Sequence, residues 1–399
     1  LPPFLFSVRD AAKLSGAHRI SGQAKLGVSF SLSRLYSLSI EAIKEGHMTS
    51  NIAISRISKS RLTEELRENS TFGTNYSDHM FVADYRDGQW HDARIEPFGP
   101  MSFSPAMTAL HYGQSLFEGF KAHRTADGAV AIFRPMCNHA RLNRTAARLC
   151  MPDVPEELFR DGLVELLRAD REWVPHREGG SLYIRPVYFG NSDTLMVHAA
   201  TRYRFVIFTS PGGPYFAQPI RLLTEEKYVR AFPGGTGDAK SAGNYGVGLL
   251  AAKLAQAKGY HNVMWLDGKE RRFVEESGVM NIMFVINGVA ITPPLSGTIL
   301  PGVTRDSVLT LLREMQVPVD ERPISVDEVV AAHSAGTLQE AFGIGTAAVI
   351  APIACIGYRD KDLAIPTGAP DGLAKKLHTR LTNIQTGKEP DTRNWLLTI

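Results

Sequence analysis

The chain has 399 residues, 44% of them hydrophobic and 21% charged, with a formal net charge of +3 at pH 7. Its length exceeds what one core usually organises and suggests two domains with an appendage. The small charge argues against nucleic-acid or membrane-surface partners, and no apolar run is long enough to span a bilayer. Cys137, Cys150 and Cys355 follow no C-x-x-C spacing and read as reduced thiols of a cytoplasmic protein. The histidines form no H-E-x-x-H or His–Cys cluster, so no metal is expected.

Residues 1–75 read as an N-terminal extension, poorly ordered or leader-like. The first 47 are rich in serine and basic residues without a sustained period, and Met48 opens a more ordinary segment. A transit-like peptide is the alternative, weakened by Asp10, Glu41 and Glu45. Around Asp87-Gly88 the alternation of MFVADYRDGQWHDARIEPF predicts a hairpin. Helical spacing follows over 134–152 and 155–175, the second through Leu158, Leu163, Leu166 and Leu167. Two apolar strands, SLYIRPVYFG and YRFVIFTS, precede PGGPYF, which is expected to break regular structure. These marks give a small domain at 76–210, a linker at 211–218 and a large domain at 219–399.

In the second half, strands are expected to fold around Asp267-Gly268 and Asn287-Gly288. A helix, VGLLAAKLAQAKG, closes at Gly259. Further helices fall over 304–315 and 325–333, the latter opened by a Ser325/Glu328 capping box. Strands and helices mix without a strict βαβ rhythm, so the fold class is α+β, a mixed α/β arrangement in two domains, not a doubly wound sheet.

The chemistry centres on GGTGDAKSAGNYG, Gly234 to Gly246, whose one cation is Lys240. Glycines let the backbone approach a ligand closely. A lysine fixed there beside Tyr245 suits Schiff-base chemistry, which needs a positioned amine of lowered pKa. A solvated surface lysine is the plainer alternative. A phosphate loop fails, because Ala239 and not glycine precedes Lys240. Four other segments look like parts of the same site. LPGVTRDS opens a helix and sets the amides of Val303 and Thr304 at its N-terminus, a ready anion site. GIGTAAVIAP offers Thr346 in a Gly-broken turn. Glu276, in FVEESGVMNIMF, and Arg185, in YIRP, lie in apolar strands, where each needs a partner of opposite charge.

In this order the segments resemble the fold-type IV pyridoxal-phosphate enzymes, and within them the branched-chain amino-acid aminotransferases. ALHYGQSLFEG, LYIRPVYFGN, GDAKSAGNYG, ESGVMNIMF and LPGVTRDS carry the likeness, which runs from about Thr71 through the GKEPDTRNWL tail. It implies a small N-terminal α/β domain, a larger C-terminal pseudo-barrel domain and a homodimer. Lys240 would bind the cofactor aldehyde and shuttle the proton, and Glu276 would pair with the pyridine nitrogen. Tyr245 would meet the phenolic oxygen, and Arg141, Val303, Thr304 and Thr346 would hold the phosphate. Phe117, Gly119, Tyr183 and Tyr215 would wall an aliphatic pocket. The Thr346-Ala347 turn would take the α-carboxylate, and Arg185 with Tyr112, the latter from the partner subunit, the side-chain carboxylate of glutamate. The implied reaction exchanges an amino group between leucine, isoleucine or valine and 2-oxoglutarate. Another class IV enzyme, a D-amino-acid aminotransferase or aminodeoxychorismate lyase, is the alternative, and a non-catalytic binding protein of the same fold the reading from another class. Animal members carry C-x-x-C after the Gly-Thr-Ala turn; here those positions are Ala348 and Ala351, so no thiol switch is expected there.

Overall fold

The computed structural model describes residues 52–213, 216 and 218–399, and residues 50–399 form one compact unit. The reading of residues 1–47 as a leader, and the site role of Tyr215, lie outside the described residues.

Two nine-stranded sheets divide the chain. The first runs in the order Ala53–Ile54, Gln89–Pro97, His79–Arg86, Tyr203–Gly212, Ser181–Gly190, Phe120–Arg124, Val130–Phe133 and Leu396–Thr398, with Ser115–Phe117 also on Ser181–Gly190. Asp87 and Gly88 join two of these strands, both at positive φ (52° and 78°), as a two-residue hairpin turn requires. Helices Pro135–Arg148 and Glu156–Ala169 contribute Leu142, Phe159, Leu163 and Leu166 to the core, which they share with Phe81 and Phe205 of the sheet. Gly162 permits this approach, because a Cβ there would stand 2.6 Å from the Phe81 ring.

The second sheet runs Val274–Ser277, Asn262–Leu266, Ile220–Glu225, Val349–Tyr358, Leu338–Gly345, Met280–Ile286, Val289–Thr292 and Val319–Glu321, with Lys361–Ala364 on Val349–Tyr358. Val274–Ser277 also pairs with Met280–Ile286, which closes the first six strands of that order into a ring. Asn287 and Gly288 make the second two-residue turn, at φ 49° and 77°. Asp267 behaves differently. Its carboxylate accepts hydrogen bonds from the amides of Lys269, Glu270, Arg272 and Phe273 at 2.7–3.1 Å and shapes a longer loop before Val274. Helices Val303–Glu314 and Leu373–Gln385 share a core with Phe342 and Met283 of this sheet, with Phe133 of the first and with Trp395, just before its last strand.

Three details correct the boundaries read from sequence. Residues 52–75 belong to the folded unit: Ala53–Ile54 pairs with Gln89–Pro97, helix Glu64–Asn69 is capped by Thr63, and Asp78 accepts bonds from Ser60 and Arg61. No local period marks that segment, because its order comes from these distant partners. Strand Tyr203–Gly212 continues through Pro211 and Gly212, paired with Leu182 and Ser181, so the proposed linker begins inside a strand. Leu396–Thr398 leaves the second half to pair with Val130–Phe133 of the first sheet. Among the described residues no helix is long and apolar enough to cross a membrane.

Candidate active site

Lys240 is held by backbone contacts to the first sheet and its helix. Its N–H donates to Thr145 Oγ1 at 3.0 Å, its carbonyl accepts from the Phe117 amide at 3.2 Å, and the Ala242 amide donates to the Ser115 carbonyl at 2.9 Å. The loop before it is fixed from within, since the Asn244 amide group donates to the carbonyls of Thr236 and Ala239. A fold that grips the main chain so closely aims the side chain without using its amine. Lys240 Nζ donates to Tyr245 Oη at 3.0 Å and lies 4.8 Å from the Phe117 ring centroid. Burial, with Arg141 beside it, pushes the Lys240 amine down to about 8, so the neutral nucleophilic form is accessible near neutral pH. Burial likewise raises the Tyr245 phenol above its ordinary value, reinforced by Glu276.

A cavity of about 530 Å³ surrounds this amine. The structure brings Phe117, Gly119, Arg141, Tyr183, Arg185, Lys240, Tyr245, Glu276, Val303, Thr304, Thr346 and Ala347 together around it. Tyr112 is not among them. It ends helix Thr108–Tyr112, is 40% exposed, and bonds through its hydroxyl to the Leu195 carbonyl.

Glu276 sits on Val274–Ser277; its Oε1 accepts the Leu300 amide at 2.7 Å and forms an ion pair with Arg230 Nη2 at 3.1 Å. Arg230 is the cationic partner that the sequence argument required. Burial raises the Glu276 pKa despite that neighbour, so a further cation facing it would be welcome. Glu275, one residue earlier, points elsewhere, as strand alternation demands, and takes the Thr298 hydroxyl. Arg185 differs from expectation: among the described residues no carboxylate pairs with it. Its guanidinium instead lies 4.7 Å from the Phe117 ring centroid and 5.2 Å from that of Tyr183, and donates to Tyr183 Oη at 3.1 Å. Gly119 makes room for that hydroxyl, since a Cβ there would stand 1.8 Å from Tyr183 Oη.

Arg141 is buried and engaged by a residue the sequence reading passed over. Glu118 receives Arg141 Nε and Nη2, each at 2.7 Å, and Asn138 Nδ2 at 2.8 Å, while Arg141 Nη1 donates to the Pro301 carbonyl at 3.0 Å. Burial alone would raise the Glu118 carboxyl; the Arg141 guanidinium more than offsets this and holds it below the usual range. These three bonds leave two of the five guanidinium N–H groups for a ligand. Opposite, helix Val303–Glu314 starts at Gly302 with no side-chain cap, and its first backbone bond is Asp306 N–H to the Gly302 carbonyl. The amides of Val303 and Thr304 therefore lack helical partners and, with the helix dipole, favour an anion. Phe72, packed edge-on against Tyr183 with ring centroids 4.8 Å apart, completes one wall. A half-buried amine, a buried carboxylate, two spare arginine N–H groups and an uncapped helix start are the set that pyridoxal phosphate requires, so the residues fit that group.

The family described as "Amino-transferase class IV" matches residues 115–356. The chain belongs to the class IV aminotransferases. It is 46% identical over 329 residues to Branched-chain-amino-acid aminotransferase 2 of Bacillus subtilis, covering 82% of this chain and 91% of that one. To the branched-chain-amino-acid aminotransferase of Mycolicibacterium smegmatis it is 44% identical over 342 residues, 84% and 93% of the two chains. This class IV aminotransferase also superposes on the branched-chain aminotransferase of Thermoproteus uzoniensis solved with norvaline. That likeness has a TM-score of 0.67 at 27% identity and covers 80% of this chain and 99% of that one. The T.th. branched-chain amino acid aminotransferase, solved with N-(5'-phosphopyridoxyl)-L-glutamate, gives a TM-score of 0.63 at 28% identity, over 79% and 97%. The fold is thus the two-sheet fold-type IV architecture, and the enzymes of this family are pyridoxal-phosphate dependent.

Proposed function

We propose that this enzyme transfers the amino group between branched-chain L-amino acids and 2-oxoglutarate with pyridoxal phosphate as cofactor. The observation that carries the reading is the half-buried Lys240 amine, 3.0 Å from Tyr245 Oη, in one cavity with Glu276, Arg185 and the uncapped helix start. When bound, the cofactor supplies an aldehyde for the lysine and a protonated ring that accepts the electron pair left at the substrate α-carbon. Lys240 would take that aldehyde, Glu276 would face the ring nitrogen and Tyr245 the phenolic oxygen. Arg141, Val303, Thr304 and Thr346 would hold the phosphate.

Lys240 is the base that removes the proton from the substrate α-carbon and later returns one, and its lowered pKa keeps a neutral amine available for this. The Thr346-Ala347 turn binds the α-carboxylate. Phe117, Gly119 and Tyr183 enclose the aliphatic side chain. Arg185, joined by Tyr112 of a second subunit, binds the distal carboxylate of glutamate. An aliphatic substrate leaves Arg185 without an anion, yet not without partners, because the Phe117 and Tyr183 rings and the Tyr183 hydroxyl retain it. One pocket can therefore serve both side chains. The homodimer is supported by Tyr112's neighbourhood, where Leu110, Leu195, Met196 and Val197 are all at least 65% exposed. The first sheet with its two helices acts as the small domain and the second sheet with its helices as the large one. Free Cys137, Cys150 and Cys355 suit the cytoplasm.

Borohydride treatment of the purified, cofactor-loaded protein followed by peptide mapping tests this reading. A pyridoxyl mass on the peptide containing Lys240 is expected; a mass on another lysine, or none, contradicts it.

A further inference from the structure

The Thr346–Ala348 turn has a second cavity behind it. Its volume is about 430 Å³, and Lys121, His123, Val349, Pro352, Thr382 and Gln385 are in its wall. Lys121, on Phe120–Arg124, is only 8% exposed, and its ammonium makes a single hydrogen bond, to the Ala347 carbonyl at 2.8 Å. Among the described residues it has no carboxylate partner. The one carboxylate in the wall, Glu340, is committed: its two oxygens accept the amides of Leu373 and Ala374 at 2.5 and 2.9 Å, at the start of helix Leu373–Gln385. A buried ammonium without a counter-ion is costly, and burial pushes this one down to about 8.

Two further buried polar groups in this wall are without a partner, both of them acceptors. His123 lies two residues along the same strand, on the same face, and its Nε2 has no hydrogen-bond partner at 7% exposure. Burial, with the Lys121 charge, keeps that imidazole neutral, and its ring proton goes to the Gly180 backbone from the other nitrogen, so Nε2 is an open acceptor. Gln385 Oε1, at 5% exposure, is also unpartnered. Val349, Ile350 and Pro352 give the wall an apolar side, and Lys375, His378 and Gln339 are in it as well. The volume lies in the range of small-molecule sites, which combine apolar lining with polar groups that fix orientation.

We propose that this second cavity binds a small monocarboxylate with an apolar body. The carboxylate sits on the Lys121 ammonium, which has donors to spare beyond its bond to Ala347, and the body packs on Val349 and Pro352. The site is independent of the proposed reaction; its link to catalysis, through the Ala347 carbonyl that Lys121 holds, rests on the reading of Thr346-Ala347 as the α-carboxylate anchor.

Calorimetric titration of the holoenzyme with phenylacetate, which has no amino or oxo group to exchange, tests the site. Saturating L-glutamate and 2-oxoglutarate are present to fill the catalytic cavity. One saturable event per chain is expected, weakened about ten- to a hundred-fold in Lys121→Met, the factor for losing a charge-assisted hydrogen bond. Thr382→Leu, which fills the far wall and leaves Lys121 intact, is expected to weaken it as well, in a protein of unchanged melting temperature. Binding that disappears when glutamate and 2-oxoglutarate are added belongs to the catalytic cavity and overturns the proposal. So does absence of binding, or binding unchanged in either folded variant. Because the readout needs no turnover, its failure is separate from any failure of the aminotransferase reading.

Discussion

Replacing Glu118 by glutamine tests how the site holds its arginine. Glu118 is fully buried, and Arg141 beside it is 5% exposed. The substitution keeps the shape and an acceptor for Asn138, but turns an N–H group toward the guanidinium and leaves a buried positive charge without its carboxylate. Breaking a buried pair in this way costs about 3–5 kcal/mol, a large share of the roughly 5–15 kcal/mol that separates folded from unfolded states. Because the Glu118 carboxyl lies below its ordinary value of 4.5, the pair's stabilisation is present above that pH and is lost as pH falls through the lower, folded value. Urea denaturation at pH 7 is therefore expected to show a marked loss in Glu118→Gln that narrows toward acid. Adding Arg141→Met removes the stranded charge, so the double variant recovers most of the stability while binding cofactor more weakly than wild type. A Glu118→Gln variant as stable as wild type, or a double variant as unstable as the single one, would refute the reasoning.

Arg185→Ala is expected to slow the half-reaction with glutamate about ten- to a hundred-fold more than that with leucine, the factor for one charge-assisted hydrogen bond; equal losses in single-turnover measurements would remove Arg185 from the substrate site. Glu276→Gln retains cofactor but transaminates far more slowly, whereas Glu275→Gln, on the other face of the strand, keeps its activity; the reverse pattern in steady-state kinetics would mean the wrong carboxylate faces the cavity. The lowered Lys240 pKa fixes a third sign. Between about pH 8 and 10.5 the folded apoprotein has released a proton that the unfolded chain still binds, so this residue's contribution to stability rises with pH across that window. Comparing apo wild type with Lys240→Met at both ends of it is expected to reveal a difference on the order of 3 kcal/mol; identical pH dependence would show an unperturbed amine.

What the sequence made legible was local. Asp87-Gly88 and Asn287-Gly288 announce their turns because two residues at positive φ must be of such types. The start of Val303–Glu314 follows from Gly302 and the apolar period after it, and Lys240 stands out among glycines. The unread parts depend on partners far away in the chain. Glu118 meets Arg141 across 23 positions and Arg230 meets Glu276 across 46, and nothing near either arginine names its carboxylate. Phe72 reaches the cavity from a segment without periodicity, held there by distant hydrogen bonds. Arg185 illustrates the opposite failure: a cation in an apolar strand implied an anion, and two aromatic faces took that place.

Transfer of an amino group from branched-chain L-amino acids to 2-oxoglutarate with Lys240 as the essential residue is tested by product analysis with purified wild-type and Lys240→Ala protein, each supplied with pyridoxal phosphate, L-leucine and 2-oxoglutarate. Glutamate and the branched 2-oxo acid are expected in equal amounts from wild type, with no multiple turnover from the variant. Wild-type protein that forms neither product, or a Lys240→Ala protein that turns over repeatedly, would contradict the account.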